Sequence, residues 1–178
     1  MTVERVAELL PARSDAAIAA FVAEHYDRLL RLARLVCRDA SDAADAVQAA
    51  LEQAWRKREA LNDEARMRPW LDRIVAREAI RISKRRQSLL GRLLTPVQNV
   101  TWIEPGDQRA SDPQTFVALR AAFVRLSPDQ RAVVALHLHL GYSVAETAAI
   151  VGAPDETVRS RLRVATQLLR AELEESRP

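Results

Sequence analysis

The segment Gly141–Arg163, GYSVAETAAIVGAPDETVRSRLR, constrains this chain more than any other. It reads as two short helices around a tight turn. Ala148 stands where the helices touch, because a close crossing needs a small side chain. Gly152 follows four residues later, in a turn that favours positive φ. Val158 packs the second helix back onto the first, and that helix carries Arg159, Arg161 and Arg163. A helix-turn-helix of this kind lays its second helix in a DNA major groove. The same spacing fits an ordinary helical hairpin with a cationic face, but DNA binding is the better reading.

The rest of the chain is helical in pattern. Ile18, Val22, Leu29, Leu32, Ala33 and Val36 recur at helical spacing up to Arg38. Ser41 suits the N-cap of a second helix reaching about Arg58, with Ala44, Val47, Leu51 and Ala54 or Trp55 inward. A polar stretch then leads to a third helix from Pro69 to about Arg86, proline being unstrained in a first turn. Phe116–Leu126 is helical as well. Ser127-Pro128-Asp129-Gln130 starts the next helix, Ser127 capping and Gln130 reaching back. Abundant alanine, leucine, arginine and glutamate, with only four glycines in 178 residues, point the same way. The expected fold is all-α: an N-terminal helical bundle (1–86) and a C-terminal helix-turn-helix domain (114–178), joined by a linker (87–113).

The linker holds two of the four glycines and three of the eight prolines. So long a connection is unusual inside one compact domain. It is also apolar in part: Leu89, Leu90, Leu93, Leu94, Val97, Val100, Trp102 and Ile103 would be costly to leave in water, so part of it should dock.

Charge narrows the function. The net charge is only +3, but 25 of the 27 cations are arginine, the residue best matched to phosphate. On the third helix Arg73, Arg77 and Arg81 fall at i, i+4 and i+8 and form one stripe, extended by Lys84, Arg85 and Arg86. Only Asp72 and Glu78 are near in sequence to offset it. Such a stripe suits a polyanion, although a solvated helix face has the same pattern. Asp45, Gln48 and Glu52 share the polar side of the second helix, as a partner surface or simply a wet face.

Catalysis finds no support. His137 and His139 are two apart on a helix and diverge, and His25 stands alone. No phosphate-cradling glycine loop, metal-ligand cluster or activated nucleophile is present, so neither enzyme activity nor a metal or other cofactor is expected. The single Cys37 lies on an apolar pattern and reads as a buried thiol. No run approaches the roughly 20 apolar residues of a membrane span. The N-terminus lacks signal-peptide architecture, so a cytoplasmic protein is expected.

Taken together, FVAEHYDRLLRLARLVCRDASDAADAVQAALEQAW, RPWLDRIVAREAIRISKRR and LSPDQRAVVALHLHLGYSVAETAAIVGAPDETVRSRL resemble the sigma factors of the extracytoplasmic-function (ECF) group of the sigma-70 family. The resemblance covers roughly residues 18–86 and 116–173. It implies a transcription initiation factor that binds RNA polymerase core, through the largest-subunit coiled coil and the flap region, and directs it to promoter DNA. It also implies an anti-sigma partner, and a place at the nucleoid when the factor is bound to polymerase. Asp45, Gln48 and Glu52 fall on the polymerase-binding helix. The loop 57–68, with Leu61, matches the part that captures a flipped base of the −10 element. Arg73, Arg77, Arg81, Lys84 and Arg85 match the part that meets and melts the duplex, and Thr157, Arg159, Ser160, Arg161 and Arg163 the −35 reader. Rival readings are a stand-alone helix-turn-helix regulator and a sigma-like adaptor that no longer melts promoters. Departures from the family pattern stand at Ala49, Ala50 and Leu51, at Leu61 where an aromatic is common, at Arg77 where asparagine is frequent, and at Val164-Ala165-Thr166 in place of a basic run.

Overall fold

The computed structural model describes residues 9–61, 63–93 and 113–175. Seven α-helices account for most of them, with no strand among the described residues. They are α1 (Leu9–Cys37), α2 (Ala40–Arg56), α3 (Met67–Leu93), α4 (Pro113–Arg125), α5 (Pro128–Val134), α6 (Val144–Val151) and α7 (Asp155–Glu175). Two short 3-10 turns, Arg58–Ala60 and Glu64–Arg66, lie between α2 and α3. The N-terminal residues 1–8, read as lacking a signal peptide, and the expected docking of linker residues 94–112 lie outside the described residues.

Local signals set the helix ends. Ser127 and Gln130 form the expected capping box, with Pro128 in the first turn of α5. A second box, Ser143 with Glu146, opens α6. At α2 the cap is Asp39, not Ser41: its Oδ1 accepts from the amides of Ser41 and Asp42. Arg38 sets this start by taking a left-handed backbone, φ 65°, which ends α1 abruptly and brings Asp39 into the cap position. α3 runs on to Leu93, past the expected end near Arg86. His137 and His139 sit in a π-helical turn, Ala135–His139, that prolongs α5.

The N-terminal bundle packs on small side chains. Ala43, Ala46, Val47, Ala50 and Ala54 are the buried face of α2, so α1 and α3 approach it closely. This rotation turns Ala44 outward, against the expectation, and of Ala54 and Trp55 it buries Ala54; Trp55 is 47% exposed and lies under the Arg58 guanidinium at 5.2 Å. In the C-terminal half Ala148, Val133 and Val158 form one cluster, which is the expected helix-turn-helix contact. Gly152 takes φ 73° in the turn.

The two halves do not stand apart. Ala132, Ala135, Leu136 and Ile150 join the core of Leu29, Leu32, Leu71, Val75 and Ala79. α6 lies on α3, and α5 on both α1 and α3. Residues expected in two separate domains therefore share one apolar core.

Candidate nucleic-acid interface

The α3 stripe is present, and its cations are held differently from one another. Arg73 and Arg85 are exposed. Arg81 pairs with Glu78 at 2.6 Å. Lys84 reaches Asp129 of α5 at 2.7 Å, and Arg86 reaches Asp42 at 2.8 Å and Asp39 at 3.3 Å. Arg77 turns to α6, donating from Nε to the Ile150 carbonyl at 2.8 Å and from Nη2 to that of Ala149 at 3.3 Å. A cation at a helix C-terminus meets the negative end of the dipole and the last unpaired carbonyls. The like-charge repulsion expected along the stripe is thus offset at Arg81 by Glu78 of the same helix, and at Arg77, Lys84 and Arg86 by carbonyls and carboxylates at or beside other helices.

Asp72, expected to offset this stripe, does not. It is fully buried, accepting from Arg28 Nη1 at 2.7 Å and from the Tyr142 hydroxyl at 2.5 Å. Tyr142 opens the helix-turn-helix segment, so this trio ties the two halves together. Burial, and then the bond to Asp72, push the Tyr142 phenol well above its ordinary range.

On α7 Arg159, Ser160 and Arg163 are exposed, while Thr157 and Arg161 are half-buried. Arg161 reaches Asp129 at 3.4 Å. One carboxylate therefore receives a cation from each of the two basic helices. Arg163 lines an open groove of about 360 Å³ with His137, Leu138, Leu162, Thr166 and Arg170. Leu138 is 59% exposed there.

The acidic face of α2 is open. Asp45, Gln48 and Glu52 are exposed, and Gln48 donates to Glu52 at 3.3 Å. Leu61 is half-buried against the main core, so its side chain is already engaged. The structure thus brings Arg77, Lys84 and Arg161 to the seam between the halves. It leaves Arg73, Arg85, Arg159 and Arg163 on the surface. Asp129, Tyr142 and the role of Asp72 were missed from sequence, where only the acidic first turn of α5 hinted at Asp129.

Comparison with known proteins follows the same division. The family model for Sigma-70 region 2 matches residues 21–89, and that for Sigma-70, region 4 matches 116–169. The chain is similar to the ECF RNA polymerase sigma factor SigL of Mycobacterium tuberculosis, 34% identical over 172 residues, covering 92% of this chain and 93% of the relative. It is similar to SigM of the same organism, 34% identical over 137 residues, covering 77% and 67%. Among solved structures it is similar to the sigma factor RpoE in complex with the anti-sigma factor NepR from Bartonella quintana. That match has TM-score 0.68 and 25% identity, and covers 89% of this chain and 98% of that one. CnrH, solved with the cytosolic domain of CnrY, shares the fold at TM-score 0.60 and 23% identity, covering 94% and 96%.

Proposed function

The chain belongs to the sigma-70 family as an ECF sigma factor, and from that premise we propose how its residues divide the work of an alternative RNA polymerase sigma factor. The polar face of α2, through Asp45, Gln48 and Glu52, docks on polymerase core. The loop 57–68 and α3 take the −10 element, with Arg73, Arg77, Arg81, Lys84 and Arg85 on the phosphates. α7 takes the −35 element through Thr157, Arg159, Ser160, Arg161 and Arg163. The action is binding rather than bond-making: capturing an extruded base costs a few kcal/mol of stacking, offset by phosphate contacts. An anti-sigma protein binds the factor and holds it inactive; what supports this is that RpoE of Bartonella quintana was solved in complex with the anti-sigma factor NepR. No helix among the described residues is long and apolar enough to cross a membrane.

The observation that carries this reading is the pairing of the two matched segments with two arginine-bearing helices. It also sets a geometric condition. Lys84 and Arg161 meet on Asp129, at 2.7 and 3.4 Å. Elements centred at −35 and −10 lie about 25 base pairs, roughly 85 Å, apart at ~3.4 Å per base pair. The two helices cannot serve both elements from one carboxylate, so promoter contact requires the seam to open.

Promoter-dependent run-off transcription with added core tests the proposal. Transcripts that require both core and this chain are expected. Sequence-specific DNA binding without core association would favour a stand-alone regulator. Core association without transcripts on its own promoters would leave a sigma-like adaptor.

A further inference from the structure

Away from the promoter-facing residues, the seam contains an electrostatic anomaly. Arg131 of α5 is 1% exposed, and among the described residues no carboxylate pairs with it. Its Nε donates to the Val36 carbonyl at 2.8 Å and its Nη1 to that of Leu126 at 2.6 Å. Carbonyl dipoles only partly replace the hydration of a full charge, and an unpaired buried ion costs several kcal/mol. Arg38 lies beside it, with a buried Nε that has no hydrogen-bond partner and no ion pair among the described residues.

Arg38 and Arg131 line one cavity of about 30 Å³, together with Cys37, Asp39, Ser83, Arg86 and Gln87. The carboxylates there are already used. Asp39 caps α2 with Oδ1 and meets Arg86 with Oδ2, and Asp42 also meets Arg86. Arg86 is thereby neutralised. Cys37 supplies no charge, because burial pushes its thiol up to about 12. Burial, and then repulsion from Arg38, lower Arg131 to about 10; burial, and then Arg86, lower Arg38 as well. The charges of Arg38 and Arg131 meet no carboxylate among the described residues: Arg131 is answered only by two carbonyls, and Arg38 Nε by no hydrogen-bond partner.

We propose that this cavity binds one small inorganic anion, chloride or a phosphate-sized oxyanion, between Arg38 and Arg131. The volume agrees: a site for one water needs ~10–15 Å³ on this measure, so the cavity holds about two waters or one small ion. The anion would link the ends of α1 and α2, and α3, to α5, and so favour the packed arrangement of the two halves. This reading is independent of the assignment of promoter contacts.

Thermal unfolding of the full chain tests it, in sodium chloride, sodium phosphate and sodium gluconate at equal ionic strength, gluconate being too large to enter. At ten times Kd the melting temperature in chloride or phosphate should exceed that in gluconate by about 3–6 °C. Arg38→Asn removes the guanidinium while suiting the left-handed backbone, and it should fold but lose the difference. A bromide soak of crystals should place an anomalous peak between Arg38 and Arg131. Equal melting in all three salts, an unchanged difference in Arg38→Asn, or waters alone in the cavity after bromide soaking would each overturn the proposal.

Discussion

At the scale of single residues, the most consequential group is one that local pattern assigned elsewhere. Asp72 has a sequence position that suits offsetting the stripe of α3, yet it is fully buried between Arg28 and Tyr142. A hydrogen bond to a charged group contributes about 1.5–3 kcal/mol, so Tyr142→Phe should destabilise the fold by about that much near neutral pH. The sign of the pH dependence follows from the raised phenol. Its contribution is fully present below the ordinary value of 10.0 and is lost as pH climbs past it. Melting temperature should therefore fall between pH 10 and 12 more steeply in the native chain than in Tyr142→Phe, and parallel curves would contradict the assignment. Cys37 gives a second prediction. With its thiol near 12 and its Sγ 3.6 Å from the Ala79 carbonyl, it should resist iodoacetamide at pH 8 in the native state and react once unfolded. Rapid native alkylation would show that α1 and α3 part readily.

At the scale of elements, the helix-turn-helix was legible because its signals are local. Ala148, Gly152 and Val158 each answer to a neighbour within ten residues, and the structure joins Ala148 and Val158 in one cluster. The α2 face was legible at Val47, Leu51 and Ala54, which face the core, and misread at Ala44, which is exposed. The helix also buries Ala43, Ala46 and Ala50, since close approach of α1 and α3 favours small side chains, and Trp55 is left outside. Gly152→Ala should cost about 1–2 kcal/mol for the left-handed backbone alone. The added Cβ would also lie 2.9 Å from Arg77 Nη2 and displace that side chain. A loss of about 2–8 °C in melting temperature is expected, and no loss would show that the turn adopts another backbone. On α7, replacing Arg159 and Arg163 together by alanine should weaken the −35 footprint of the holoenzyme. Protection of the −10 region should remain once the complex has formed. An unchanged −35 footprint would remove these arginines from the reading surface.

At the scale of the whole molecule, the packing of the two halves would govern access to DNA under the promoter contacts proposed above. Arg77 occupies the C-terminal carbonyls of α6, at a position where the resemblance leads one to expect asparagine. Arg77→Asn, too short to span that gap, should shift the free protein toward more extended forms, read as a larger radius of gyration by small-angle scattering. Unchanged scattering would mean that the shared apolar core holds the seam without it. Sequence alone determined the helical class, the cap at Ser127, the two basic helices and the family, because helix periodicity, capping and turn chemistry act within a few residues; it placed the α2 cap at Ser41, where the structure has Asp39. It could not determine that the Arg77, Lys84 and Arg161 side chains are drawn into one seam, or that Asp72, Asp129 and Arg131 sit there. Those contacts join residues mostly 32 or more positions apart, and no local period encodes which surfaces meet. Only the tertiary structure decided them, by burying Ile150 and Leu136 in the core of the N-terminal bundle and carrying the charged groups into register with them.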